Sequence, residues 1–288
     1  MMHGFTTRRL GWAILFSGAM WVACSSLSPC RAAEDAEVTK LLQTFVDELV
    51  PITPGEGKFP AELTRPGAGD DGADQSIKLD GPFAIAKYEV PQNLYEAVMG
   101  ENPSKWKGPR NSVEMMDWKE ARAFCAKLTD LLKDAKLIEA NEEIRLPTEI
   151  EWEYCCRAGT TTRYSFGDKA QSPGDEDKQA SLLDEYGWHT GNAAGNDPPV
   201  GALKPNPWGL YDVHGYLWEF CSNRWTESVA IDAEIDDRPP GAVVIRGGSW
   251  KDRFEDLASA SRRRFSTRDR DDAVGFRCVK APVGKAAR

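Results

Sequence analysis

The segment Arg246–Lys280 constrains the fold of this chain more than any other stretch. It opens with Gly247 and Gly248 directly after a short β-branched run, Ala242–Ile245, which is typical of a buried strand. Two consecutive glycines let the backbone bend sharply or let a neighbour approach closely, because neither carries a Cβ atom. At its far end, Val274–Val279 has the alternation of a closing strand. The segment is therefore predicted to be two strands joined by a loop rich in arginine and aspartate.

The first 32 residues have the pattern of a signal peptide. Two arginines, Arg8 and Arg9, precede the mostly apolar stretch Leu10–Ala23, and Cys30-Arg31-Ala32 offers a small-x-small cleavage site. The apolar stretch falls short of the roughly 20 residues that span a bilayer, so no membrane span is predicted. A lipid anchor through Cys24 stays open. The sequence predicts export, either to the periplasm or out of the cell.

The charge of the chain excludes some partners. Its formal net charge is −9, and removal of residues 1–32 takes away three arginines and no acidic residue, leaving about −12. Nucleic acids and anionic membranes both require a basic surface, so neither is expected as a partner. The predicted division is a signal peptide (1–32), a helix with a mobile loop (33–76), one large domain (77–282) and a tail (283–288).

Helix signals are clear in the first half of the chain. Val38–Val50 is apolar at helical spacing, and Pro91 suits the first position of a helix that runs to Met99 and stops at Gly100. Capping boxes at Asp117/Glu120 and Thr148/Glu151 predict two further helices. The apolar face of the first of these two is predicted to comprise Ala121, Phe124, Cys125, Leu128 and Leu131. Residues 160–204 show no sustained periodicity and are predicted to be irregular.

Several spaced motifs precede the C-terminal segment. They are Gly81–Phe83, Lys87–Val90, Asn102–Lys105, Arg145–Glu149, Glu151–Tyr154, Asn206–Asp212 and Trp218-Glu219. Together with the RGGS of Arg246–Ser249 and the GFR of Gly275–Arg277, they resemble the formylglycine-generating enzyme (sulfatase-modifying factor) family over about two hundred residues. The resemblance implies an α+β, C-type-lectin-like domain with little regular secondary structure.

The chain departs from the family where its chemistry would take place. The resemblance implies a Cu(I) ion held by two cysteines shortly after RGGS, since soft thiolates suit a soft cuprous ion. Here the first position holds Asp252 and the second falls at about Leu257, and no cysteine lies between Cys221 and Cys278. Copper is therefore not expected. Ser249 matches a serine near the enzyme's active site, but no base is apparent for it, so a role in closing the turn is favoured.

The resemblance also implies a calcium loop. Asp212, Gly215, Leu217 and Glu219 match its ligands, which are two side-chain oxygens and two backbone carbonyls. Such hard oxygen ligands suit Ca²⁺. The alternative is that Asp212 caps a turn and Glu219 pairs with an arginine. Calcium is the predicted cofactor.

Ligand-groove residues can be named by the same resemblance. Arg262 matches an arginine that lines the family's substrate groove. Because arginine binds carboxylates strongly, an acidic ligand is a candidate. Trp218 and Trp250 flank that region and offer stacking surfaces for a peptide or sugar, unless both belong to the core.

Cysteines and histidines complete the candidates. Five cysteines remain after removal of residues 1–32, and in an oxidising compartment all five are disulfide candidates. The resemblance pairs Cys125 with Cys278. The pairing of the others (Cys155, Cys156, Cys221) stays open. A three-histidine metal centre is excluded after signal removal, because His189 and His214 alone remain. A Cys–His nucleophile is disfavoured because acidic neighbours raise the pKa of a thiol.

Two functions follow from these observations. The favoured one is an exported, non-catalytic binding or scaffolding module for a protein, peptide or glycan. The alternative is a formylglycine-generating oxidoreductase that acts on sulfatase cysteines, or a divergent enzyme of that family.

Overall fold

The computed structural model describes residue 1 and residues 29–69, 72–79, 81–229 and 241–284. Most of the predicted signal peptide lies outside the described residues. The four α-helices in the described part are α1 (Pro29–Asp47), α2 (Gln92–Met99), α3 (Trp118–Asp134) and α4 (Glu149–Arg157). Its ten strands are β1 (Leu49–Ile52), β2 (Glu62–Arg65), β3 (Gln75–Lys78), β4 (Phe83–Ala86), β5 (Glu142–Arg145), β6 (Trp218–Arg224), β7 (Ala242–Arg246), β8 (Arg262–Ser266), β9 (Val274–Gly275) and β10 (Val279–Pro282).

The described strands form two four-stranded sheets and a hairpin. The first sheet is antiparallel, with the order β1-β4-β10-β5, so that strands from both ends of the chain lie side by side. The second sheet has the order β8-β7-β6-β9, with β9 parallel to β6. The hairpin is β2–β3. This mixed architecture is the predicted α+β fold.

Helix ends follow the local sequence as predicted. Asp117 and Glu120 form a reciprocal capping box at the start of α3, and Thr148 and Glu151 do the same for α4. In each box both partners satisfy backbone N–H groups that would otherwise lack acceptors. Helix α2 begins directly after Pro91 and ends at a left-handed residue. Both predicted capping boxes are confirmed.

The apolar face of α3 packs into the largest core cluster. Ala121, Phe124, Cys125 and Leu128 are all buried, as predicted from their spacing. Leu132 is fully buried where Leu131 was expected, and Leu131 is partly buried. The 3.6-residue period of the helix allows either leucine to lie at the edge of the apolar face.

The predicted closing strand Val274–Val279 is wrong as a single element. The chain instead divides it between β9 in the second sheet and β10 in the first. Arg277 lies in the crossing and forms a buried ion pair with Glu219 of β6. The residues between the two strands therefore join the sheets instead of extending either one.

Residues 61–76 were predicted to form a mobile loop, and this prediction is also corrected. Part of the stretch forms the hairpin β2–β3, in which Leu63 and Ile77 pack into the second core cluster and Arg65 pairs with Glu153 of α4. Strand β1 belongs to the first sheet, so the predicted boundary at residues 76/77 lies inside one folded unit. Glycine and aspartate in the hairpin's turn obscured the short strands on either side.

Two other expectations can be compared with the structure. Helix α1 begins at Pro29 rather than Val38, and thus before the predicted end of the signal peptide. Residues 160–204 are irregular apart from a 3₁₀ turn at Leu183–Glu185, as predicted. Among the described residues, no helix has both the length and the apolar character needed to cross a bilayer.

Candidate functional site

Arg246 anchors the start of the C-terminal segment. Its side chain is fully buried at the end of β7 and pairs with Glu149 at 3.1 Å and Glu153 at 2.6 Å, both on α4. It also donates to the backbone carbonyl of Ser259 at 2.8 Å. Burial of a charge is tolerated when every partner is in place. The arginine of RGGS therefore holds the turn against α4 and is not free to bind a ligand.

Leu257 fills the space between two glycines. A Cβ atom on Gly248 would lie 2.7 Å from one Leu257 methyl carbon, and a Cβ atom on Gly215 would lie 2.3 Å from the other. Both glycines have a positive φ, which suits glycine and strains other residues. Leu257 is fully buried. Leu257, which the resemblance places near the second copper ligand, is thus a packing residue.

Asp252, which the resemblance aligns with the first copper ligand, accepts hydrogen bonds from several donors. Its Oδ2 accepts from the amide of Ser249 (3.1 Å), the hydroxyl of Ser249 (2.5 Å) and the indole N–H of Trp218 (2.7 Å). Its Oδ1 accepts from the guanidinium of Arg263 at 2.7 Å. Ser249 therefore closes a turn, and the carboxylate binds the loop together where the family resemblance implies a thiolate.

A cavity of about 640 Å³ opens beside this turn. Its volume lies in the range of small-ligand pockets. Aromatic side chains form much of the wall, and the polar residues come from four separate loops. The lining residues that carry the argument are Trp106, Glu114, Trp188, Thr190, Tyr216 and Trp250.

The wall of the cavity carries polar atoms without partners. Within the described part of the chain, Glu114 Oε2, Trp188 Nε1 and Thr190 Oγ1 are buried and make no hydrogen bond. Most buried polar groups in proteins are hydrogen-bonded, so three exceptions around one cavity are unusual. The residues that line the cavity therefore leave one indole donor, one carboxylate oxygen and one hydroxyl buried and without a partner.

Glu114 is the electrostatic centre of this wall. Burial is the largest cause that raises its pKa, to about 7, and the acidic side chains of Asp272 and Asp197 add to the effect. The backbone amides of Trp106 and Lys105 oppose the rise. The Trp106 amide donates to Oε1 at 2.9 Å, which leaves Oε2 unpaired. Glu114 therefore changes charge near neutral pH.

The predicted ligand-groove residues are not brought together. Trp250 lines the cavity, and its indole donates to the carbonyl of Asp272 at 3.2 Å. Trp218 is buried, and its indole N–H donates to Asp252. This agrees with the alternative that Trp218 belongs to the core. Arg262 instead pairs with Glu149 at 2.7 Å and stacks on Trp225. The structure thus places one of the three in the cavity.

The predicted calcium ligands lie close together but are engaged elsewhere. Both oxygens of Glu219 accept from Arg277, at 2.6 and 2.7 Å, and Oε2 also accepts from the indole of Trp152. Asp212 accepts from the amide of Gly201 through Oδ2, and its buried Oδ1 has no partner in the described part.

Those contacts limit what the loop can bind. Burial raises the pKa of Asp212 to about 6. No described group of three or more acidic, histidine or cysteine side chains is arranged to hold a metal. The carboxylates of Asp212 and Glu219 and the backbone carbonyls of Gly215 and Leu217 fit calcium only if Glu219 leaves Arg277. Calcium binding therefore stays a prediction of the resemblance alone, and the buried Glu219–Arg277 pair opposes it.

Cysteine and histidine do not form a nucleophilic pair here. Cys156 Sγ lies 4.0 Å from His214 Nδ1, and both residues are buried. Burial raises the pKa of Cys156 to about 12 and lowers that of His214 to about 4. His214 Nδ1 donates to the carbonyl of Leu257 at 2.9 Å, and Nε2 accepts from the amide of Ser165 at 3.0 Å. Because the thiol holds its proton and the imidazole is a weak base, His214 does not remove the proton of Cys156 at neutral pH.

The predicted disulfide partners are adjacent. The sulfur atoms of Cys125 and Cys278 lie 3.8 Å apart in the core, and both are thiols in this structure. A disulfide bond is about 2 Å long. Their pairing stays a prediction.

Comparison with known proteins identifies the family. The model for the sulfatase-modifying factor enzyme 1-like domain matches residues 34–282, which is most of the chain. The chain belongs to this family. A formylglycine-generating enzyme from Thermomonospora curvata is 30% identical over 223 residues, covering 72% of this chain and 67% of that protein.

Other proteins are similar to parts of this chain. A protein named serine/threonine-protein kinase pkn1, from Chlamydia caviae, is 32% identical over 143 residues, which cover 47% of this chain and 21% of the kinase's length. The structure of Treponema denticola variable protein 1 matches with a TM-score of 0.64 at 24% identity, covering 81% of this chain and 95% of that one. That last match supports the fold alone.

The cavity was not predicted from the sequence. The stretch 188–198 that supplies much of its wall lies in the irregular half, and Glu114 lies between α2 and α3 outside the motifs that carry the resemblance. The available signal was a concentration of aromatic residues near loops, at Trp106, Trp188 and Tyr216. Such residues also fill cores, so the pattern alone does not point to a cavity.

Proposed function

We propose that this chain is an exported, non-catalytic ligand-binding module of the sulfatase-modifying factor family, and that its ligand binds in the aromatic-walled cavity. A fold does not fix a function, so the proposal depends on the site itself. The observation that carries it is the environment of Asp252. A carboxylate held by Ser249, Trp218 and Arg263 lies where the family resemblance implies a thiolate.

The described cysteines support the same conclusion. All five are buried, and none lines the cavity. Burial raises the pKa of Cys155, Cys156, Cys221 and Cys278, which keeps these thiols protonated. A copper site needs accessible thiolates, and their absence from the cavity wall argues against copper-dependent oxidation.

The cavity supports a binding role. It combines an apolar, aromatic wall with a few polar groups, which is the usual composition of a ligand site. The pattern of residues 1–32 supports export, and an oxidising compartment would suit the predicted Cys125–Cys278 bridge. A peptide, protein side chain or glycan can reach the cavity from its open side.

An anaerobic Cu(I) titration tests the non-catalytic part of the proposal. The purified protein competes with a chromogenic Cu(I) chelator, and the double variant Asp252→Cys, Leu257→Cys is the matched control. We expect the wild-type protein to leave Cu(I) on the chelator. Stoichiometric Cu(I) uptake by the wild-type protein would contradict the proposal.

A further inference from the structure

The cavity wall has requirements that only some ligands meet. The unpartnered Trp188 Nε1 is a donor, and the unpartnered Glu114 Oε2 is an acceptor when Glu114 is ionised. The Thr190 hydroxyl can serve as either. An occupant that satisfies this wall must therefore carry at least one donor and one acceptor.

Within the described residues, no cationic side chain is hydrogen-bonded to Glu114 Oε2. The residue is 3% exposed, and the described charged side chains that shift its pKa are the acidic Asp272 and Asp197. Lys251 lines the same cavity, but its ammonium group is bound by Asp271 and Asp272. Lys178 lines the cavity as well, and it is not among the groups that shift the Glu114 pKa. A buried carboxylate without a counter-ion favours an occupant that brings a cation.

The aromatic wall suits a cation too. Tryptophan rings attract ammonium groups through their negative faces. The rings of Trp106 and Trp250 already carry the ammonium groups of Lys105 and Lys251 at 4.7 and 5.2 Å from their centroids. Trp106 is 46% exposed at the cavity, which leaves ring surface for a ligand.

We propose that the cavity binds a primary ammonium group carried on an apolar or aromatic body, with Glu114 accepting the ammonium hydrogen bond and the tryptophans covering the body. This inference rests on the proposed binding function. A polyol would meet the hydrogen bonds but leave Glu114 without a counter-ion. A quaternary ammonium would bring the charge but has no hydrogen to donate. A primary ammonium does both, and its source is either a free amine or a lysine side chain of a peptide.

Calorimetric titration with matched probes tests the proposal. Tyramine carries the ammonium group, an aromatic ring and a hydroxyl, and tyrosol is the same molecule with an alcohol in place of the amine. At pH 8 we expect tyramine to bind about 10- to 100-fold more tightly than tyrosol, because a hydrogen bond to a buried charge is strong. A second pair of probes is a blocked pentapeptide that contains lysine and its Nε-acetylated form, which lacks the ammonium group. Tighter binding of the lysine peptide than of tyramine identifies a peptide as the source of the ammonium group, and tighter binding of tyramine identifies a free amine.

Variants assign the effect to Glu114. Glu114→Gln should reduce tyramine affinity to the tyrosol level and leave tyrosol unchanged. Glu101→Gln removes the same charge from an exposed position outside the cavity and should change neither affinity. Trp188→Phe removes the indole N–H and should weaken both probes equally. A thermal melt of each variant confirms that it is folded.

The pH profile of the wild-type protein provides a readout without substitution. Since the pKa of Glu114 is about 7, the binding-competent carboxylate falls about tenfold between pH 8 and pH 6, and tyramine affinity should fall with it. Tyrosol affinity should stay constant over the same range.

Some results would overturn the inference. Equal affinities for tyramine and tyrosol, or a Glu114→Gln variant that keeps the preference, would show that the cavity does not recognise ammonium. Failure of every probe to bind would overturn it as well. The Cu(I) titration decides the non-catalytic proposal separately, so the two failures can be distinguished.

Discussion

Arg277 donates to both carboxylate oxygens of Glu219, at 2.6 and 2.7 Å, with both side chains fully buried. The same guanidinium donates to the backbone carbonyls of Ala86, Lys87 and Tyr211. One arginine therefore connects β4 of the first sheet, β6 of the second sheet and the loop that contains Tyr211. The arginine of the GFR motif has a structural role that its sequence position did not reveal.

Substitution of Glu219 by glutamine should strongly destabilise the fold. The change leaves the Arg277 charge buried without its counter-ion, and we expect a loss of about 3–5 kcal/mol in the free energy of unfolding. Chemical denaturation measures it. Glu185→Gln is the control, because Glu185 pairs with Lys204 on the surface and should cost less than about 1 kcal/mol. Similar small losses for both variants would show that the buried pair contributes little.

Calcium should have little effect on stability. An ion at the predicted loop must draw Glu219 away from Arg277, which would leave the buried guanidinium unpaired. We therefore expect the same melting temperature in EDTA and in excess Ca²⁺. A higher melting temperature with Ca²⁺ that Mg²⁺ does not reproduce would instead establish the calcium loop at Asp212, Gly215, Leu217 and Glu219.

A disulfide between Cys125 and Cys278 should form during folding rather than after it. The sulfurs are close enough to pair, but burial raises the pKa of Cys278 and suppresses the reactive thiolate in the native protein. Refolding under oxidising conditions should yield the bridge, and oxidation of the folded, reduced protein should be slow. The bridge closes a long loop and should add about 4–5 kcal/mol on the chain-entropy model.

Peptide mapping by mass spectrometry after alkylation under denaturing conditions checks this prediction. A Cys125→Ser, Cys278→Ser variant provides the unbridged reference. If both cysteines of the oxidatively refolded protein are alkylated, the pairing is wrong.

His214 should make stability depend on pH below neutrality. Burial lowers its pKa from 6.5 to about 4, so the unfolded chain binds the proton first as the pH falls. The wild-type protein should therefore lose up to about 1.4 kcal/mol per pH unit between pH 6.5 and pH 4 relative to His214→Gln. Denaturation curves of the two proteins across this range measure the difference. A constant difference would show that His214 is protonated in the folded state.

Local signals in the sequence predicted the capped helices well, and the family resemblance predicted the fold class. Capping boxes at Asp117 and Thr148 depend on residues three positions apart, and such contacts can be identified without tertiary structure. The strand Ala242–Ile245 was equally clear from its β-branched residues. The division of Val274–Val279 between two sheets was not apparent from the sequence. It depends on the ion pair of Arg277 with Glu219, which lies 58 residues earlier in the chain.

The site was harder to predict for the same reason. Asp252 and Leu257 were predicted to be unsuited to copper by residue type alone, and this stays a prediction. Arg262 was assigned to a groove by resemblance, yet it pairs with Glu149, 113 residues earlier in the chain. The cavity at Glu114 and Trp188 is assembled from distant loops and carries no local pattern. Prediction succeeded where residues close in sequence decided the outcome, as in the capping boxes, and failed where long-range partners did.

Conversion of a sulfatase peptide tests the central claim most directly. A peptide containing the Cys-x-Pro-x-Arg motif is incubated aerobically with Cu(I)-treated protein, and mass spectrometry follows replacement of the cysteine thiol by an aldehyde. A formylglycine-generating enzyme run in parallel shows that the assay works. Because the resemblance places Asp252 at a thiolate position and the cysteines from Cys125 onward are buried, we predict that the peptide remains unchanged. Copper-dependent formation of the aldehyde by the wild-type protein would contradict the account.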